Sequence, residues 1–240
     1  MTALFNQWGN FLFHTRNVLF PVLIAVLLYI WPPVAINTVP GDCFLGLGLL
    51  MIVLGQSLRI LAIGLSYIVR GGRMRRIYAE NLVTDGLFAH CRNPLYVGNI
   101  LIVMGFVFVA GNLTGLIVGS LAFLVIYRLI VFSEESFLSE KFGSAYGEFC
   151  HDVPRWLINF KGLPDTIKNY QFDWPKVVVK EYGTIMTSLM MPIGLIAYKL
   201  NLAQQLAAYQ TVLIALAVAV MAAYGGARFL KKTGRLKPMR

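Results

Sequence analysis

Asp85-Gly86-Leu87-Phe88-Ala89-His90-Cys91-Arg92-Asn93-Pro94-Leu95-Tyr96-Val97-Gly98 is the stretch around which the chain is organised. Two hydrophobic runs follow it, residues 95–110 and 113–132, with only Gly111-Asn112 between them. Each run is long enough to cross a bilayer as a helix, and Gly-Asn is a turn dipeptide. The runs therefore read as a hairpin of two spanning helices. A hairpin returns the chain to the side it left. Arg92-Asn93-Pro94 and Glu134-Glu135 must then face the same membrane surface. Phe142-Gly143, Tyr146 and Val153-Pro154-Arg155 close the stretch.

Composition agrees. Of 240 residues, 58% are hydrophobic and only 13% charged, and mean hydropathy is +0.67. A soluble domain carries about a quarter charged residues. The class read from this is all-α: a polytopic helical membrane protein of about six spans. The net charge of +10 sits beside the spans, where basic residues set orientation, so it does not argue for a nucleic-acid partner. Cys43, Cys91 and Cys150 are far apart and read as reduced thiols without metal-ligand spacing. Residues 1–17 hold aromatics and a single Arg, unlike a cleavable signal.

In order, residues 1–16 form an aromatic lead expected to lie flat at the interface. Spans are expected at 18–36, ended by Pro32-Pro33, and at 43–69. The second contains Arg59, expected to be a buried structural partner or a ligand contact. Gly46-Leu47-Gly48 reads as helix packing, not a nucleotide fingerprint. Arg70, Arg73, Arg75 and Arg76 read as a headgroup anchor. After the hairpin, residues 133–149 are expected to form a separate amphipathic helix capped by Ser133. Glu134 and Glu135 would then stand in its first turn. Residues 159–181 read as an interfacial connector, and 182–200 with 206–229 as a second hairpin, kinked near Pro192 and Gly194. The divisions are 1–81 (membrane helices), 82–160 (catalytic region), 161–181 (connector) and 182–240 (hairpin and basic tail).

The polar residues at the hairpin mouth suit a zwitterionic or nucleotide-like ligand. Arg92 offers a planar fork of donors. Glu134 and Glu135 can accept from hydroxyls or an amine, and Tyr96 and Tyr146 supply faces and hydroxyls. Pro94 starts a helix whose free N–H groups favour anions. His90 and His151 have no second His at metal-binding spacing, so no metal is expected, and no Ser-His-Asp set is evident.

Residues 82–155 resemble the catalytic region of the isoprenylcysteine carboxyl methyltransferase and phospholipid methyltransferase superfamily. That pattern is Gly-x-Tyr-x-x-x-Arg-His-Pro-x-Tyr-x-Gly, a helical hairpin, Glu-Glu-x-x-Leu, Phe-Gly-x-x-Tyr and Val-Pro-Arg. Here it is carried by Gly86, Arg92, Pro94, Tyr96 and Gly98. It continues through Glu134, Glu135, Leu138, Phe142, Gly143, Tyr146, Val153, Pro154 and Arg155. Phe88 stands for Tyr, Asn93 for His, and Ala89 at a position that is often basic. The resemblance implies an integral membrane enzyme that uses S-adenosylmethionine on a lipid-borne or hydrophobic carboxylate, amine or thiol. It implies Arg92, Asn93 and Arg155 as catalytic residues. Glu134, Glu135, Tyr96, Pro94, Tyr146 and His90 would bind the cofactor. A membrane reductase using a nicotinamide cofactor shares the Arg-His-Pro-like loop and is the nearest alternative. A transporter, with Arg59 and Arg128 inside spans, is the other.

The turns at 37–42, 111–112 and 201–205 carry almost no basic residues, whereas the opposite side carries many. Both termini and the Arg92/Glu135 cluster are therefore expected to be cytoplasmic. A cysteine introduced at Asn112 should be labelled from outside intact cells; labelling only after permeabilisation would reverse the topology.

Overall fold

A computed structural model describes residues 2–36, 39–65, 79 and 81–236. Eight α-helices are present among the described residues: α1 (Thr2–Ile30), α2 (Val39–Gly64), α3 (Pro94–Ala110), α4 (Leu113–Phe142), α5 (Ser144–Asp152), α6 (Leu163–Asn169), α7 (Trp174–Leu202) and α8 (Leu206–Lys232). A 3-10 turn, Gly86–Ala89, precedes α3. Five helices, α1, α2, α4, α7 and α8, are long and apolar enough to cross a membrane, and α3 is a shorter apolar helix. The chain is thus a polytopic helical membrane protein. The arginines at 70, 73, 75 and 76 lie outside the described residues.

The expected hairpin is α3 and α4. Gly111 takes the left-handed conformation (φ 77°) that ends α3, and the Asn112 side chain accepts from Gly115 N at 3.1 Å to start α4. Helices α2 and α3 pack along each other most extensively, α1 lies on α4, and α7 packs on α2, α3 and α8. The α2–α3 contact is close because paired glycines remove the side chains between the helices. A Cβ on Gly55 would lie 2.6 Å from the Gly98 carbonyl oxygen, and one on Gly48 would lie 2.7 Å from that of Gly105. This is the small-residue packing that membrane helices use.

Three expectations are corrected. The aromatic lead is not a separate surface helix. It is the first half of α1, with Leu12 and Phe13 buried against Ile130 of α4. Apolar burial along α4 outweighs an interfacial position. Secondly, Ser133 is not an N-cap. Helix α4 runs unbroken through it to Phe142, and the Ser133 hydroxyl donates to Asn10 Oδ1 at 2.9 Å on α1. The break comes at Gly143 (φ 54°), ten residues later than expected. Leu138, Phe142, Tyr146 and Phe149 still share one apolar cluster, but across that break. Thirdly, the connector ends sooner. Asp173 caps α7 by accepting from Lys176 N at 2.9 Å, with Pro175 in the first turn. This is a strong helix-start signal that the lysines around it obscured. Residues 174–181 therefore belong to the spanning helix, which continues through Pro192.

The unbroken α4 fixes the height of the acidic pair. From Leu113 to Glu134 the helix rises about 31 Å, one hydrocarbon thickness. Pro94 opens α3 at the corresponding end of the hairpin. Gly55→Ala should lower stability in detergent by about 1–3 kcal/mol through overpacking. Gly46→Ala, whose Cβ meets nothing within 4 Å among the described residues, should leave the melting temperature unchanged; equal effects would contradict the close helix contact.

Candidate active site

The site forms where the loop before α3 meets α4 and the segment after α5. The loop 90–93 is tied to residues 154–159 by backbone bonds: Arg92 N donates to Pro154 O (2.9 Å), and Asn159 N donates to His90 O (2.9 Å). Pro94 occupies the first turn of α3 and leaves Asn93 at the N-cap. An N-cap Asn commonly accepts from the helix's free N–H groups. Asn93 makes no such bond. Its amide instead donates to Glu135 Oε1 (3.0 Å) and to Arg155 O (3.3 Å).

Glu135 is the centre of the cluster. Arg155 donates through Nε to Glu135 Oε1 (3.2 Å), and its Nη2 lies 2.6 Å from Oε2. Arg92 Nη1 lies 3.5 Å from Oε1 and donates to Cys150 Sγ at 2.9 Å. The carboxylate is buried, and Arg155 is 40% exposed at the cluster's open side. Two guanidiniums and an amide around one carboxylate offset its desolvation. Tyr146 packs beside them. Burial, the negative charge of Glu135 and contact with Cys150 push its phenol well above the ordinary value, against a smaller opposing pull from Arg92. It therefore stays protonated near neutrality. Burial also raises the Cys91 thiol.

Two spaces adjoin the cluster. A narrow cleft is lined by Leu82, Val83, Arg92, Leu138, Tyr146 and Phe149. A larger cavity of ≈ 950 Å³ lies between α1, α3 and α7. Asn93, Tyr96 and Glu134 stand at its polar end, while Ile102, Val103 and Phe106 continue α3's inward face as an apolar wall. This volume is at the upper end for ligand pockets.

Of the residues read from sequence, Arg92, Asn93, Glu135, Tyr146 and Arg155 come together, and Glu134 and Tyr96 reach the cavity. Pro94 is fully buried and acts on the backbone. His90 is placed elsewhere: its Nδ1 lies 2.8 Å from Asn159 O and its Nε2 2.8 Å from Thr166 Oγ1. One ring nitrogen thus ties the loop to α6 and the other to the segment before it. Arg59 proves to be a buried structural partner that also borders the cavity. Its Nε and Nη2 donate to Glu181 at 2.8 and 2.6 Å, and its Nη1 donates to Asn99 Oδ1 at 2.6 Å. Sequence reading missed Glu181 and Asn99. An arginine inside a span demands a carboxylate, and Glu181 stood one residue before the expected span.

The phospholipid methyltransferase family matches residues 43–145. This region is similar to the phospholipid methyltransferase family. One relative is the protein-S-isoprenylcysteine O-methyltransferase of Schizosaccharomyces pombe, 32% identical over 106 residues, covering 42% of this chain and 44% of that protein. Another is the cobalt-zinc-cadmium resistance protein CzcN of Cupriavidus metallidurans, 34% identical over 78 residues, covering 32% of this chain and 36% of that protein. The chain thus spans less than half the length of either relative. No solved structure matches it. The matched residues include Arg92, Asn93, Glu134 and Glu135; Tyr146, Arg155 and the α7–α8 hairpin fall beyond them.

Asn93→Leu would leave Glu135 and the Arg155 carbonyl short of a donor. It should destabilise the protein in detergent by about 1–3 kcal/mol, measured by thermal unfolding, with Asn93→His milder. An unchanged melting temperature would show that the amide does not hold Glu135.

Proposed function

We propose that the protein is an integral membrane methyltransferase that uses S-adenosylmethionine to methylate a hydrophobic acceptor carried in the bilayer. The observation that carries this reading is the juxtaposition of the Glu135 cluster with a deep cavity that is polar at one end and apolar at the other. Such a gradient suits an amphiphilic ligand lying parallel to lipid.

The residues fit the cofactor. Arg92 Nε is buried without a hydrogen-bond partner among the described residues, and Arg92 lines the cleft beside Tyr146. A guanidinium suits the carboxylate of an amino acid, and Glu134 and Glu135 suit hydroxyls and positive charge. When bound, S-adenosylmethionine supplies a sulfonium methyl group for in-line displacement. Such a transfer depends on orientation and exclusion of water more than on proton chemistry. Arg92, from the cleft, and Tyr96, at the cavity's polar end, would hold and orient the ligands. Arg155, from the exposed side, closes over Glu135. Asn93 has no ionisable proton and orients the carboxylate. The apolar walls of α1 and α3 exclude water from the acceptor.

Purified protein in nanodiscs, given methyl-labelled S-adenosylmethionine and membrane lipid extract, should transfer label to a lipid and raise its mass by one methylene. Arg92→Lys should slow the transfer about tenfold or more, since a point charge does not replace a planar fork. Glu135→Gln should weaken cofactor affinity in calorimetry. Absence of both cofactor binding and label transfer would sink the reading.

A further inference from the structure

Tyr127 of α4 takes no part in the site described above, yet it lines the large cavity while being only 2% exposed. A buried tyrosine hydroxyl commonly finds a hydrogen-bond partner. That of Tyr127 makes no hydrogen bond among the described residues, and it is not sealed in, because what stays open of the residue faces the cavity. Other polar side chains on the same wall are satisfied. Arg59 donates to Glu181 and to Asn99 Oδ1 through bonds of 2.6 to 2.8 Å. The Ser188 hydroxyl donates to Gln56 Oε1 at 3.1 Å, and that of Thr187 to Gly183 O at 3.1 Å.

The surroundings of that hydroxyl fix the chemistry it can take. The Tyr127 ring is held from its sides, by Phe20 of α1 with centroids 5.3 Å apart and by Tyr96 of α3 with centroids 6.0 Å apart. Phe20 and Tyr96 also line the cavity. Aromatic walls favour a planar ring, by offset stacking or edge contact. One or two turns further along α1 and α3 the lining becomes Ile24, Leu28, Ile102 and Val103, which suits a hydrocarbon tail. Tyr127 stands seven residues before Glu134 on the same helix, about 10 Å along its axis. An oxygen held by Tyr127 is therefore a recognition group, apart from the polar end where the methyl transfer is placed. The hydroxyl is neutral, so the oxygen it suits is a neutral one.

We propose that Tyr127 determines specificity: its hydroxyl bonds the oxygen of a phenol or quinone ring that lies against Phe20 and Tyr96 and carries a hydrocarbon tail. The proposal rests on the methyltransferase reading and names the class of its acceptor, an oxygenated aromatic amphiphile. Tyr127 touches the ligand away from the reacting atoms.

The probes are tritium-labelled meta-pentadecylphenol, pentadecylbenzene, which lacks the oxygen, and pentadecanol, which lacks the ring. Each is presented at equal mole fraction in nanodiscs holding the full chain, and binding is read by scintillation proximity with empty nanodiscs subtracted. The phenol should bind about tenfold tighter than the alkylbenzene, through one net hydrogen bond, and tighter than the alcohol. Tyr127→Phe should bring the phenol down to the level of the alkylbenzene and leave alkylbenzene binding unchanged. The hydroxyl it removes has no partner in the described protein, so the melting temperature should not fall; loss of a structural hydrogen bond would lower it. Four results overturn the assignment: a wild type that binds phenol and alkylbenzene equally, an alcohol that matches the phenol, a preference that survives Tyr127→Phe, or a lower melting temperature for that variant. A wild type that methylates lipid extract but ignores the phenol oxygen loses the ring subsite alone. One that shows the Tyr127-dependent preference but neither binds S-adenosylmethionine nor transfers methyl keeps the subsite and loses the enzymatic reading.

Discussion

One buried carboxylate holds the cytoplasm-side architecture expected for this chain together. Glu135 extends from a helix that has just crossed the membrane, and it meets groups from two other segments: Asn93 and Arg92 before α3, and Arg155 after α5. A carboxylate taken out of water is costly unless its lone pairs are satisfied. Satisfying them here forces the loop 90–93 and the segment 154–159 to lie side by side. The backbone bonds between those segments, and the His90 link to Thr166 of α6, follow from that arrangement. Removing the charged partner of a buried ion pair commonly costs about 3–5 kcal/mol, more than removing a neutral donor such as the Asn93 amide. The same contact therefore serves the fold and presents Arg92 to the cleft.

A second buried pair does comparable work inside the membrane. Arg59 on α2 meets Glu181 on α7 through two short bonds and takes Asn99 on α3 as a third partner. Gln56 extends the contact to Ser188, which donates to its amide oxygen at 3.1 Å. Three helices are thus fixed in rotation as well as position, because an apolar interface in lipid has little orientational preference of its own. The arrangement also removes the main support for a transport path. Arg59 is neutralised in place, and Arg128 stands on the exposed face of α4, so the two do not share a route.

The hairpin, its turn at Gly111-Asn112 and the shared face of Arg92 and Glu135 were legible because span length and turn chemistry are local properties. The breaks were harder. Ser133-Glu134-Glu135 looks like a helix start by composition, but nothing there stops the preceding helix. Only the fit of Asn10 against Ser133, across more than a hundred residues, shows why the helix continues. The lysines around Asp173 resemble an interfacial linker until the carboxylate is seen to cap a helix. His90 matched a position beside the motif, yet its environment is set by Asn159 and Thr166, which no spacing rule connects to it. Tertiary partners decide such cases, and a single sequence shows the residues without the pairings.

The unbroken α4 changes how the acidic pair must be understood. Had Glu134 and Glu135 stood in a first turn, the helix dipole alone would have explained two carboxylates there. Some twenty residues into a helix, that dipole contributes nothing to them, and consecutive residues point about 100° apart. The two side chains therefore serve different spaces: Glu135 faces the arginine cluster, while Glu134 borders the cavity. A chain needing only a stable helix end would have no use for either at this depth. Their separation by direction places one carboxylate with the groups that order the loop and the other at the polar end of the space where an amphiphile would lie. That division of labour follows from helix geometry alone, once the helix is known not to break.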